Sequence, residues 1–385
     1  MAIGRSLARP AAVMVTAVLV PACLAATARR PDAEPRPRPA GLLGVRWRTV
    51  LNDQGAMQAR PGECASGVVV RDKLIIGSRA AAVVGVDAAT GRVDWTTPVS
   101  GGLDSQARFD EARGHVYLGT DDGALYAVDP SGGAVRWSYR SKGSIEQAVE
   151  IGNGAVYSAT AADRVFALDA GTGKWLWQYE RESPEGFTIA GHAGPRLRGG
   201  HLLSGFSDGY LVALDHRSGE VVWARSLASA SNQFVDVDAT PTIAGDGVFV
   251  SSYSGGLYAL DPRDGSVRWR LAVVGVGTVS LHGRHLYFAA PREGLHATDL
   301  NGNVMWRQGL SEAGDLSPPI VVQRYLVFSG SRAGLFVVDR ATGTLAEIFN
   351  PGRGICGAPA VDPRGDRLYV LANGGALYAL DLASP

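Results

Sequence analysis

Eight copies of one short pattern run through this chain, and that repetition narrows its fold more than any other feature. An apolar strand ends in Asp, a Gly follows, and a Trp opens the next strand. The copies are VVGVDAATGRVDW (Asp87, Gly91, Trp95), LYAVDPSGGAVRW (Asp129, Gly133, Trp137) and VFALDAGTGKWLW (Asp169, Gly173, Trp177). LVALDHRSGEVVW (Asp215, Gly219, Trp223) and LYALDPRDGSVRW (Asp261, Gly265, Trp269) continue the series. LHATDLNGNVMW (Asp299, Gly302, Trp306) is one residue shorter, LFVVDRATGTLAE (Asp339, Gly343, Glu347) has lost its Trp, and the last copy stops at Asp381. The Asp-to-Asp spacings of 42, 40, 46, 46, 38, 40 and 42 match the blade period of a β-propeller. Asp and Gly suit the hairpin turn, and Trp offers large area for packing between blades. A second strand pair precedes each copy, as in PTIAGDGVFVSSYSGG (241–256), so each blade has four strands.

The eighth copy lacks its outer strand, and the segment GLLGVRWRTVL (41–51), with Trp47, has no blade of its own. Pairing the two would close the ring and remove its open edge. The fold class expected is therefore all-β: one eight-bladed propeller over residues 42–385, closed by an N-terminal strand in the last blade.

Composition excludes other classes. Lys+Arg and Asp+Glu both total 37, so no basic excess favours nucleic acid. Three Cys are too few for a disulfide-dense scaffold or a zinc module. Gly, at 50 of 385 residues, fits many tight turns.

Residues 1–22 carry Arg5 and Arg9 and then the apolar stretch 11–22, which is short for a membrane span and reads as a signal peptide. Val20-Pro21-Ala22-Cys23 resembles a bacterial lipobox, which makes Cys23 the lipidated first mature residue. Residues 23–41, rich in Pro and Arg, form a tether. Soluble export with cleavage after Ala26-Thr27-Ala28, and an uncleaved anchor, are competing readings. Leu24, by the bacterial sorting rule it resembles, implies the periplasmic face of the outer membrane.

Aligning the blade starts places one residue per blade at one level: Cys64, Asp104, Ile145, His192, Asp238, Val276, Asp315 and Cys356. Cys64 and Cys356 belong to the first and last blades. Eight-fold geometry at a ring radius of about 7–8 Å sets neighbours roughly 5.5–6 Å apart, within disulfide range. A Cys64–Cys356 bond across the closure is expected in an oxidising compartment. Asp104, Asp238 and Asp315 would be candidate cation ligands, and His282 with His285 a candidate metal pair; each lacks a complete ligand set in the sequence. The repeat Asp residues are turn formers.

The repeat unit resembles the PQQ-like repeat family, whose quinoprotein enzymes are also eight-bladed. Those carry adjacent cysteines over the cofactor and a channel calcium cluster, and neither pattern is found here. Lipobox, tether, repeat number and the segment VDVDATP (Val235 to Pro241) together resemble the BamB family, propeller lipoproteins of the outer-membrane β-barrel assembly (BAM) machinery. The resemblance implies a non-enzymatic scaffold without cofactor or metal. It also implies binding to the POTRA region of the barrel-inserting, BamA-like subunit through Asp236, Asp238, Phe187 and Ile189, with Ala190 standing where the family has a basic residue. Unfolded outer-membrane protein clients are a further candidate partner, since an exposed outer strand could pair with a client strand by β-augmentation. Alternatives are a saccharide- or peptide-binding propeller lipoprotein and a PQQ-dependent dehydrogenase.

Overall fold

The computed structural model describes residues 41–52, 62–182, 192–228, 234–310 and 313–383. Its 32 strands form eight four-stranded antiparallel sheets, the blades, in chain order 68–98, 108–140, 150–180, 196–226, 242–271, 280–308 and 320–349. The eighth blade holds Ala360–Val361, Arg367–Leu371 and Ala376–Leu382, and its outer strand is the N-terminal Leu43–Val50. That strand runs antiparallel from Leu43↔Leu382 to Val50↔Ala376, with a bulge between Val45 and Trp47. The expected closure is therefore present.

The alternating strands bury both sheet faces, and each junction between adjacent blades has its own apolar cluster. Leu74, Ile76 and Val84 of blade 1 meet Tyr369, Leu371 and Leu377 of blade 8 at the closing junction. Tyr117, Leu125, Phe166 and Leu168 fill the junction of blades 2 and 3. Tying each blade only to its neighbours leaves the middle of the ring as a channel.

The repeat residues clamp one blade to the next. Each Asp of the first seven copies caps its own turn: Asp87 accepts the Thr90 amide at 2.8 Å, and its carbonyl accepts the Gly91 amide at 2.8 Å. These bonds hold the Asp87 carboxyl below its ordinary value, Thr90 being the main cause. Each Trp indole donates to a carbonyl in the next blade's turn. Trp47 reaches Ala88 at 3.1 Å, Trp95 Pro130 at 3.3 Å and Trp137 Ala170 at 3.2 Å. Trp177, Trp223, Trp269 and Trp306 do the same with His216, Pro262, Leu300 and Arg340.

The motif glycine has two reasons to be glycine. Gly91 has φ +76, and a methyl there would come within 2.6 Å of the Trp47 ring lying on it. The same contact recurs at each later copy, down to Gly343 under Trp306 at 2.5 Å.

Loss of Trp from the seventh copy also has a physical reason. Blade 8 receives its outer strand from the other end of the chain and so has no turn to clasp. Glu347, at the Trp position, accepts the backbone amide of Leu43 at 3.1 Å and so anchors the start of the closing strand.

Cys64 and Cys356 form the disulfide, with Cα atoms 4.7 Å apart and a sequence separation of 292. The bond spans the same closing junction as Trp47.

Candidate functional site

The crossings from each outer strand to the next blade's inner strand, and the turns between the two middle strands, open on one face around the channel. The segment 234–240 lies there, fastened on both sides by backbone bonds. The Val237 amide donates to Phe206 O at 3.1 Å in blade 4. The Tyr253 amide donates to Asp236 O at 3.0 Å, and Ser254 N to Phe234 O at 3.2 Å, in blade 5. Val237 is 1% exposed and packs with Leu203, Leu211 and Val250. Gly205 beneath it leaves room for the Val237 carbonyl, which a methyl there would strike.

This anchoring sorts the two acids. Asp236 is 1% exposed, so its carboxylate belongs to the interior of the loop. Asp238 is half-buried at the channel mouth. Burial pushes its carboxyl up to about 6, and the nearby Asp236 adds to the rise against the opposing amides of Asp238 and Ala239. Phe187, Ile189 and Ala190 lie outside the described residues, as do Cys23 and the signal and tether segments up to residue 40.

Three apolar residues that the sequence reading passed over stand beside the acids. Phe234, at φ 54, is 41% exposed and lies edge-on to Tyr253 at 6.1 Å. Val274 is exposed one blade on, next to Gly275, whose amide donates to Tyr253 O at 2.9 Å. The Phe-Val pair immediately before Asp-Val-Asp was the available signal. A bulky residue in the left-handed region cannot be read from sequence.

The expected ring of equivalent positions needs two corrections. A parallel bridge pairs Ser66 with Gln106, Ser66 Oγ donates to Ala358 O at 2.9 Å, and Thr240 N donates to Thr278 Oγ1 at 3.0 Å. Gly194 sits between Ala148 and Thr240 at the same level. Two residues earlier, these strands place Cys64, Asp104, Glu146, His192, Asp238, Val276, Leu316 and Cys356 in the ring. Ile145 is fully buried in the junction of blades 2 and 3, and its neighbour Glu146 takes the ring position. Asp315 is exposed, and Leu316 bridges to Gly330 in its place. Each loop turns one residue later than the alignment assumed.

Asp104 pairs with Arg79, Nε to Oδ1 at 3.0 Å, and accepts the Cys64 amide at 3.3 Å. Burial nonetheless raises its carboxyl above the ordinary value. His192 is 5% exposed, and burial lowers its imidazole. Asp104, Asp238 and Asp315 are not brought together. Among the described residues no three His, Cys, Asp or Glu side chains form a metal-holding group. Below the ring the channel offers a cavity of ≈ 600 Å³ whose lining includes Gln106, Gln147, Thr240 and Thr278. Within it Arg196 is ion-paired to Glu150 at 3.0 Å. No helix among the described residues is long and apolar enough to cross a membrane.

Comparison with known proteins agrees with the repeat and its closure. A family model described as outer membrane protein assembly factor BamB matches residues 109–301, half of the chain. Curated proteins named outer membrane protein assembly factor BamB match at 29% identity. One is from Nitrosomonas eutropha, over 134 residues (34% of this chain, 31% of the relative); another is from Alkalilimnicola ehrlichii, over 156 residues (38% and 39%). The match thus spans less than two fifths of those relatives' length. The crystal structure of BamB from Moraxella catarrhalis superposes with a TM-score of 0.74 at 21% identity, covering 88% of this chain and 99% of that one. A quinohemoprotein alcohol dehydrogenase from Pseudomonas putida superposes with a TM-score of 0.66 at 14% identity, covering 90% and 77%, so the ring alone does not separate scaffold from enzyme. The repeat, the strand closure and the family match together make this chain a member of the BamB family of outer membrane protein assembly factors.

Proposed function

We propose that this chain is a non-enzymatic scaffold of outer-membrane β-barrel protein assembly. It holds the barrel-inserting subunit by that protein's periplasmic POTRA region. The observation that carries this reading is the fastened 234–238 segment, which sets an exposed Phe234 beside the half-buried acid Asp238 on a rigid face. An apolar anchor rimmed by charge suits a protein partner with a basic counterpart. Phe187 and Ile189, which fall between blades 3 and 4 in the sequence, belong to the same proposed contact. Asp236 supports it from inside the loop rather than by touching the partner. Lipidation at Cys23 anchors the scaffold at the periplasmic side of the outer membrane.

Co-purification from the native envelope tests the proposal, comparing wild type with Asp238→Ala and Phe234→Ala. Recovery of the barrel-inserting subunit with wild type, and its loss with either variant, supports both role and face. Recovery with all three keeps the role and discards the face. Failure with wild type discards the role.

The hydroxyl- and amide-lined channel favours one second reading, a saccharide ligand. A rise in melting temperature with small glycans would support it.

A further inference from the structure

The opposite face of the ring carries a cationic cleft between blades 6 and 7. His282 and His285 are paired across the two-residue turn Gly283-Arg284, and His285 is paired in turn with Asp299. Cross-strand partners project from the same side of a sheet, so these three side chains share one face. Arg340 of blade 7 closes the cleft, which encloses ≈ 390 Å³ and also includes Arg284 and Asn301 in its lining.

Comparison with the next blade explains why its cations are free. In blade 7 the counterpart of Arg284 is Arg324, and it is spent on Asp339, Nε to Oδ2 at 3.1 Å. In blade 6 the turn is one residue shorter. Asn303 donates its amide and its side-chain Nδ2 to Asp299 at 2.9 and 2.8 Å, and Asn301 N donates at 2.8 Å. Asp299 is thereby satisfied within its own turn. Among the described residues Arg284 has no hydrogen-bond or ion-pair partner. Arg340 has none for its guanidinium either, and its Nη1 is buried. Two guanidinium forks and two imidazoles face one space with a single carboxylate already occupied.

We propose that this cleft binds a phosphoryl anion, either free phosphate or the phosphate of a lipid headgroup. Arginine forks match phosphate oxygens, and the donors from two blades outnumber the two oxygens of a carboxylate. Burial, Arg340 and His285 together lower the His282 imidazole, consistent with a positive site waiting for negative charge. Gly41 and Leu42 enter the ring on this same face, beside the turn around Asp366 whose carbonyl holds Leu382. The site is independent of the partner face and goes beyond the scaffold role.

The test titrates the full chain with inorganic phosphate, following heat and the imidazole proton resonances of His282 and His285. In parallel, the chain is sedimented with phosphatidylcholine vesicles, with and without phosphatidic acid. Arg284→Gln and Arg340→Gln are compared with Arg324→Gln, whose charge is already paired. Saturable phosphate binding that moves both imidazoles and weakens about tenfold in the first two variants alone supports the site with free phosphate as ligand. Phosphatidic-acid-dependent sedimentation with the same variant pattern, without free-phosphate binding, supports the headgroup. If neither probe binds, or if binding is equal in all three folded variants, the proposal is overturned. Arg284 is exposed, so its variant remains informative even if Arg340→Gln fails to fold.

Discussion

Replacing Asp238 by Asn should make the free protein more stable at neutral pH while weakening the proposed partner contact. The carboxyl has an ordinary value of 3.8 and is pushed up to about 6 in the fold, chiefly by burial and then by Asp236. A raised acid keeps its proton in the folded state where the unfolded chain has released it. Stability from this group is therefore full below pH about 4 and is lost as pH rises through about 6. At about 1.4 kcal/mol for each pH unit of that gap, ionised Asp238 costs the fold up to about 3 kcal/mol at pH 7. Asn keeps the shape and an acceptor for the opposing amides without the charge. The expected gain is about 1–3 kcal/mol at pH 7, shrinking towards zero at pH 4. Urea unfolding of both proteins at several pH values measures it. A difference that stays constant from pH 4 to 7, or a variant less stable than wild type at pH 7, would refute the reasoning.

The remaining predictions concern the closure. Cys64→Ser/Cys356→Ser should lower unfolding free energy by roughly 2–5 kcal/mol, the upper end following from a loop of 292 residues; an unchanged urea midpoint would show that the paired strand alone carries the closure. Trp47→Ala removes the Ala88 bond and the packing on Tyr369 and Gly91, and should cost about 3–5 kcal/mol by thermal or urea melts. Gly91→Ala meets both the φ of +76 and the Trp47 ring, and should cost about 2–4 kcal/mol in the same measurement. Glu347→Ala leaves the Leu43 amide without its acceptor and should cost about 1 kcal/mol, read as faster amide exchange at Leu43.

Much of the architecture was legible in the linear chain because a propeller repeats a local unit. The Asp caps its own turn within three residues, and the glycine and tryptophan recur at fixed offsets, so the period alone announces blades. The missing eighth outer strand and the orphan Trp47 segment told where the ring closes, and Cys64 and Cys356 fell on either side of that seam. Spacing could not resolve matters of one residue or of side-chain direction. Ile145 and Glu146 are adjacent, and only the packing of blade 2 on blade 3 decided that Ile faces the core and Glu the channel. Asp236 and Asp238 look equivalent in sequence. The fastening of 234–238 between two blades buries the first and leaves the second at the channel mouth. Phe234 and Tyr253 meet only because the segment entering blade 5 is bonded to that blade's own turn at Tyr253 and Ser254. Local bonding is written in the sequence as pattern, whereas burial and charge compensation depend on neighbours far along the chain, and only the tertiary structure supplies those.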